Sequence, residues 1–116
     1  MEKNKVYDLE ARTYLFAKSC RLLIGKLNKT ISNIEDSKQL VRSSGSIAAN
    51  YIEANEKLGD KDFLFRLKIA RKEAKESILW IKLLRDTNTF FELEFSNLLT
   101  EADELRKILS AIIKKS

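Results

Sequence analysis

The stretch KDFLFRLKIARKEAKESILWIKLL, residues 61–84, carries the most regular apolar repeat of the chain. Apolar and small side chains recur there at alternating spacings of four and three, which is the pattern of one face of an α-helix. The face consists of Phe63, Leu67, Ala70, Ala74, Ser77, Ile81 and Leu84. Because no proline or glycine interrupts it, the stretch predicts one long helix that packs against other helices through this row.

Three further segments carry the same repeat, two before this stretch and one after it. Their rows are Leu9, Thr13, Phe16, Cys20, Leu23 and Leu27; Leu40, Ser44, Ile47, Tyr51, Ala54 and Leu58; and Phe91, Phe95, Leu98, Ala102, Leu105, Leu109 and Ile112. The four rows predict helices at residues 8–29, 38–58, 61–86 and 91–114. Asp8 and Ser37 are the predicted N-caps of the first two helices. Long helices with short connections favour an all-α fold, an antiparallel up-down-up-down four-helix bundle, and heptad spacing predicts a left-handed twist.

Composition supports a single helical domain over residues 1–116. Charged residues make up 34% and hydrophobic residues 44% of the chain, and both histidine and proline are absent. No run of about eighteen apolar residues could span a bilayer, and no charged-then-apolar leader precedes the first helix. The single cysteine, Cys20, cannot form an internal disulfide. We therefore expect a cytoplasmic protein with no membrane partner.

The excess of positive charge, +5 in total, lies mainly in residues 1–36, with +2, and in residues 60–87, with +3. Residues 60–87 contain eight basic and five acidic residues, a balance of +3. A lysine repeats there every seven residues, at Lys61, Lys68, Lys75 and Lys82, with Lys72 beside the row. Such a row is often only a solvated face, but several copies in an oligomer would attract phosphates. Together with Lys18, Arg21 and Lys26 of the first helix, it forms a candidate site for charge-based binding of RNA or DNA, without base reading.

The stretch QLVRSSGSIAANYIEANEK, residues 39–57, is rich in small residues. A phosphate-binding loop is not indicated, because Gly45 stands alone in a helix-compatible segment, where it costs about 1 kcal/mol relative to alanine. The third helix is also apolar on its outer side, and counting back from a turn near Gly59 places Arg42 level with Glu76. A subunit interface is therefore predicted at Arg42, Gly45, Ser46, Ala49, Glu53, Phe65, Ile69, Glu76, Leu79 and Leu83. Scattered surface hydrophobic residues are the alternative interpretation.

Paired carboxylates raise the question of catalysis. Two Glu-x-x-Glu motifs, starting at Glu53 and Glu73, superficially resemble the pairs with which all-α nucleotide pyrophosphatases hold Mg²⁺. In the predicted hairpin the two motifs are about 16 Å apart along the axis, so surface ion pairing is the better interpretation unless a neighbouring chain completes the site. Without histidine, a di-iron site of the usual form and a Cys/His nucleophile are excluded, and Cys20 is expected to be buried and inert. We predict no catalytic site, no metal and no cofactor.

The sequence also resembles a known family. QLVRSSGSIAANYIEA, followed by KDFLFRLKIARKEAKESILWIKLL, is similar to the four-helix-bundle proteins encoded in intervening sequences of bacterial 23S ribosomal RNA genes. DLEARTYLFA near the start and ELRKILSAIIK near the end extend the similarity over most of the chain. The matching positions are Arg42, Ser43, Ser46, Ile47, Asn50, Glu53, Ala54, Lys61, Asp62, Phe63, Arg71, Lys72, Glu73, Glu76 and Trp80. Where the family commonly has a proline after the first helix, this chain has Asn28 nearby.

The resemblance implies antiparallel four-helix subunits that assemble into homopentameric rings. A related branch, the accessory proteins of diversity-generating retroelements, forms basic pentameric barrels that bind nucleic acid and a reverse transcriptase. We therefore expect a non-enzymatic, homo-oligomeric protein that binds RNA or DNA. A protein-interaction scaffold without a nucleic-acid partner is the alternative, because fold and assembly do not by themselves determine function.

Overall fold

Four long helices make up most of the protein. The structure, a computed structural model, describes residues 8–56 and 58–116; residues 1–7 and 57, which the predicted domain includes, lie outside the described residues. The helices are Leu9–Ile24 (α1), Ile31–Asn55 (α2), Asp60–Thr87 (α3) and Glu92–Lys115 (α4), with a 3₁₀ turn at Thr89–Phe91 before α4. The described part of the chain contains no strand.

The helices form a bundle around one core. Each packs against its neighbours in sequence, and α1 also contacts α4, so that the four enclose a common interior. The all-α, antiparallel four-helix bundle predicted from the heptad rows is therefore confirmed. The described body measures 44 × 29 × 19 Å. Within it, no helix has an apolar stretch of the length that a bilayer crossing requires.

The core is built from the predicted inward rows. Its fully buried large side chains include Leu9, Leu40, Ile47, Leu67, Ile81, Leu84, Phe95, Leu105 and Leu109. Small residues accompany them where α2 and α3 meet, and the buried hydroxyls of Ser43 and Ser77 lie 2.8 Å apart and share a hydrogen bond across this contact. Small side chains at a helix contact allow the two axes to approach closely. The α2–α3 hairpin is therefore the most closely joined part of the bundle.

The connection between α1 and α2 is shorter than predicted. α1 ends at Ile24 and not at position 29, and α2 begins at Ile31 and not at position 38. Thr30 caps α2, since its side chain accepts a hydrogen bond of 3.1 Å from the backbone N–H of Asn33. The predicted cap, Ser37, lies inside the helix. Residues 31–37 carry no apolar row that would predict a helix, but a polar stretch of helix is stable when it begins at a good cap.

Two smaller predictions also need correction. Asp8 occupies the N-cap position of α1, but its side chain makes no capping hydrogen bond. Leu58, which was assigned to the inward row of the second helix, is 77% exposed. Helix α2 has already ended at Asn55, and Gly59 takes a φ of 132° that other residues rarely adopt. The chain therefore turns away before Leu58 could reach the core.

A pair of side-chain amides links the first turn of α2 to the residue that follows α3. Asn33, only 4% exposed, donates to Oδ1 of Asn88 at 2.9 Å, and Asn88 donates back to Oδ1 of Asn33 at 2.8 Å. Each amide also donates to a backbone carbonyl, Asn33 to Asn28 and Asn88 to Leu84. The pair satisfies buried polar groups and links the start of α2 to the end of α3.

Replacing Asn33 with alanine should lower the free energy of unfolding by about 1–3 kcal/mol, because the amide of Asn88 then loses its reciprocal partner. Urea denaturation followed by circular dichroism would measure the change. Asn97→Ala, at an exposed position of α4, is the matched control and should change stability by no more than about 0.5 kcal/mol. Equal effects of the two substitutions would contradict the role of the amide pair.

Candidate nucleic-acid interface

The predicted lysine row lies on the solvent side of α3. Lys61, Lys68, Lys75 and Lys82 are all exposed. Residues seven apart return to the same side of a helix after two turns, so the four ammonium groups follow one line along α3. At 1.5 Å per residue this line is about 30 Å long.

Arg71, which is not among the predicted binding residues, lies beside the lysine row on the surface of α3. A shallow depression of about 410 Å³ on the surface of α3 is lined by Lys68, Arg71, Lys72, Lys75, Glu76 and Leu79. Spacings of three, four and seven place its cations on neighbouring positions of one helix side. We call the set Lys68, Arg71, Lys75 and Lys82 the basic face.

The acidic residues in the middle of α3 are directed towards α2. Arg42 of α2 donates to both carboxylate oxygens of Glu73, at 3.1 and 3.3 Å, and to Oε1 of Glu76 at 2.9 Å. Hydrogen bonding to Glu73 is the main cause that raises the pKa of Arg42. Glu73 itself is 7% exposed. A single arginine thus pairs with two carboxylates of α3, of which Glu76 also borders the depression that contains Lys68, Arg71 and Lys75.

The cations of the basic face are left without intramolecular partners. Among the described residues, none of these four side chains forms an ion pair. The ion pairs of α3 involve other side chains. Lys72 lies beside the face, with its Nζ 4.0 Å from Oε2 of Glu76. Unpaired cations on one convex side create a positive potential that attracts anionic chains at low salt.

The surface of α4 next to the basic face is electrically balanced. Lys82 and Lys107 line a depression of about 370 Å³ together with Ile78, Leu99, Thr100, Asp103 and Glu104. Asp103 lies 2.7 Å from Arg106 and 3.2 Å from Lys107. Hydrogen bonding, first from Arg106 and then from Lys107, lowers the pKa of Asp103 and keeps this carboxylate ionised. The basic face therefore ends at the groove between α3 and α4.

The predicted cations of the first helix are not brought together with the basic face. Lys18 and Lys26 are exposed. Lys18 belongs to α1, which packs against α2 and α4, and Lys26 lies in the connection that follows α1. The guanidinium of Arg21 forms hydrogen bonds within the bundle. It donates to the backbone oxygen of Ala17 at 3.0 Å and to that of Val41 at 3.2 Å. Arg21 thus connects α1 to α2.

Gly45 lies beside Arg21 and not beside α3. A Cβ atom at Gly45 would come within 3.1 Å of Nη2 of Arg21. The same guanidinium lies 3.4 Å from Oγ of Ser44. The glycine therefore makes room for an arginine that crosses from α1 to α2, which is a structural reason for a glycine inside a helix.

The other predicted interface residues lie on α2 or on the outer side of α3. Phe65 is 57%, Leu79 50% and Leu83 39% exposed. Ile69 and Ser46 are half-buried, and Ala49 and Glu53 are exposed. The ion pair between Arg42 and Glu76 joins the two helices at the height that the sequence predicted.

The groups considered for catalysis are separated or occupied. Glu53 and Glu56 are exposed on α2 and at its end, whereas Glu73 is paired with Arg42. The described residues contain no cluster of three or more acidic or cysteine side chains that could hold a metal ion. Burial raises the pKa of the Cys20 thiol to about 12. A thiol of this kind is protonated and inert at neutral pH.

Comparisons with known proteins agree with the observed fold. A family model described as "23S rRNA-intervening sequence protein" matches residues 3–111. A crystal structure of a protein of unknown function, from the S23 ribosomal protein family of Bacteroides thetaiotaomicron VPI-5482, is 31% identical in sequence. It superimposes with a TM-score of 0.81 over 98% of this chain and 99% of that one. No functionally curated protein matches the sequence.

Gly45→Ala should stabilise α2 by about 1 kcal/mol in an Arg21→Ala background, because alanine is the better helix former. When Gly45→Ala is made in the native chain, the increase in the free energy of unfolding should be smaller, because the new methyl group displaces the guanidinium of Arg21. Urea denaturation of the two single variants and the double variant gives the coupling between the positions. Strictly additive changes would show that Gly45 does not accommodate Arg21.

Proposed function

We propose that this chain, which belongs to the family of 23S rRNA-intervening sequence proteins, binds nucleic acid through the basic face of α3 while assembled with copies of itself. The observation that carries the proposal is the line of unpaired cations at Lys68, Arg71, Lys75 and Lys82. A protein that neutralises phosphates with such side chains releases counterions from the nucleic acid, and this release is the main source of sequence-independent affinity.

The chemistry of the basic face favours backbone recognition. Lysine is a point charge on a flexible stem, and it contacts phosphates without fixing a geometry towards base edges. Of the four cations only Arg71 offers the planar group that can bind a guanine edge through two hydrogen bonds. We therefore propose binding to RNA or DNA by charge and shape, without sequence preference.

Assembly strengthens this proposal. One row of four cations gives weak binding, but several rows in one assembly act as linked sites with a higher overall affinity. The partly exposed Phe65, Leu79 and Leu83 offer a surface for another copy of the chain. The homopentameric ring implied by the resemblance stays a prediction, as does the relation to retroelement accessory proteins.

The proposed activity is binding and not catalysis. Glu73 and Glu76 are engaged by Arg42, and the thiol of Cys20 is buried. Neither set of groups is free to act as a base or nucleophile on a bound substrate. The same exposed apolar side chains also support a second candidate, a scaffold that binds another protein and no nucleic acid.

Nucleic-acid binding can be tested with fluorescently labelled single-stranded RNA and double-stranded DNA by anisotropy at increasing salt. At about 50 mM salt the native chain should bind both, and log Kd should rise linearly with log salt concentration. The triple variant Lys68→Gln/Arg71→Gln/Lys75→Gln should weaken binding roughly tenfold or more and reduce the salt slope by about 2–3, because each phosphate contact contributes about one unit.

The matched control removes three exposed lysines of α1 and of the connection that follows it, as Lys18→Gln/Lys26→Gln/Lys29→Gln. Both triple variants lower the net charge by the same amount, from +5 to +2. The control should retain most of the affinity. Equal losses in the two variants would refute a site on α3, and the absence of binding by the native chain at low salt would favour the scaffold.

A further inference from the structure

The shallow depression on α3, which we call the central depression, lies in the middle of the row of cations. Six side chains line its volume of about 410 Å³: Lys68, Arg71, Lys72, Lys75, Glu76 and Leu79. This volume lies within the range of pockets that hold small ligands, about 300–1,000 Å³. Two of the six, Glu76 and Leu79, have no attraction for a phosphate. A ligand that fits the whole lining therefore has to offer more than negative charge.

The lining residues differ between the two flanks of the central depression. At about 100° per residue, Lys68, Lys75 and Leu79 lie close to one line along α3. Arg71 lies on one flank of this line and Glu76 on the other. Lys68 and Lys75 are about 10.5 Å apart along the axis, at 1.5 Å per residue. A ligand between the two lysines therefore has a cation at either end and a guanidinium on one flank.

The two lysines suit the backbone of a nucleic acid. Lysine carries a point charge on a flexible stem, so Lys68 and Lys75 can each contact a phosphate, one on either side of a nucleotide between them. Glu76 by itself would repel a phosphate. However, its Oε1 accepts a hydrogen bond of 2.9 Å from Arg42, and its Oε2 lies 4.0 Å from Nζ of Lys72. These pairings offset the repulsion.

The remaining groups of the central depression suit a nucleobase. Leu79 is 50% exposed and offers apolar surface to the face of a planar ring. Arg71 is half-buried, and its planar guanidinium can stack on a base or donate to the edge of one. Phe65 and Leu83 do not line the depression, so they stay available for contact with another copy of the chain.

We infer that the central depression holds the base of an unpaired nucleotide, so that the basic face binds single-stranded nucleic acid in preference to a duplex. The inference rests on the proposed function and names the class of nucleic acid that its site accepts. In a duplex each base is paired and stacked between its neighbours, and taking one out costs free energy. In a single strand the bases are free to turn outward onto a protein surface.

The lysine row continues on both sides of the central depression. Lys61 lies about 10.5 Å before Lys68, and Lys82 lies about 10.5 Å after Lys75. Further phosphates of the same strand can therefore each meet a lysine. Contact with a base is confined to one nucleotide, and charge alone holds its neighbours. This arrangement gives a preference for unpaired strands without requiring a sequence motif.

Removing the bases from the ligand tests the inference. Fluorescence anisotropy compares a labelled oligothymidylate of about 12 nucleotides, within the site sizes of single-strand-binding proteins, with an abasic strand of equal length. Both strands carry the same phosphates and release the same counterions. The oligothymidylate should bind roughly fivefold tighter or more at every salt concentration. It should also bind tighter than a hairpin with a stem of about 12 base pairs. Equal affinity for the two strands, or tighter binding of the hairpin, would overturn the inference.

Arg71→Lys keeps the charge of the central depression and removes its planar group. This variant should bind the oligothymidylate roughly fivefold more weakly and bind the abasic strand as the native chain does. Arg85→Lys is the matched control, because it makes the same exchange on α3 at a residue outside the lining. It should leave both affinities unchanged. Equal weakening of both strands by Arg71→Lys would show that Arg71 contacts only phosphates, and would contradict the base site.

The two proposals fail in different ways. A chain that binds both strands equally, with an affinity that falls steeply as salt is added, would refute the base site and leave charge-based binding standing. A chain that binds neither strand at about 50 mM salt would refute nucleic-acid binding itself. Tighter binding of the oligothymidylate, lost selectively in Arg71→Lys, would support both proposals.

Discussion

The close packing of α2 against α3 is the contact on which the other features depend. Small side chains such as Ser43 and Ser77 occupy the contact and bring the helices near one another. Arg42 can then reach across to Glu73 and Glu76. Arg42 pairs with both carboxylates, and among the described residues no cation of the basic face forms an ion pair. The packing of α2 against α3 thus determines which acidic residues of α3 are paired, and this affects the net charge that α3 presents at the surface.

The fold could be predicted because four rows of apolar residues keep a heptad spacing over most of the chain. What the rows did not reveal were features that depend on single contacts. The first turns of α2 are polar, and neither Ile31 nor Ile34 is buried, so no apolar row indicates a helix there. Asn33 is buried only because Asn88, from a distant part of the sequence, satisfies its amide. Local periodicity contains no information about such a long-range pair.

The candidate site was predicted less completely than the fold, for a similar reason. The lysine row belongs to a single helix, and its seven-residue spacing is enough to place the four lysines on one side of that helix. Which neighbour a surface residue faces depends on how the helices are arranged around the core. Gly45 was therefore assigned to the surface shared with α3, although it lies next to Arg21 of α1. The contact between Arg42 and Glu76 was found because counting residues from a hairpin turn fixes relative heights.

The family description adds less to the function than it first suggests. It refers to the place where the coding sequence occurs, inside a ribosomal RNA gene, and this location does not make ribosomal RNA the ligand. The argument for nucleic acid rests instead on charge. Helix α3 has three different sides: one packs in the core, one carries the exposed Phe65, Leu79 and Leu83, and one carries the basic face. In the proposed assembly, copies of the chain meet through the apolar side and leave the cationic side exposed, so that self-assembly and nucleic-acid binding use different sides of the same helix.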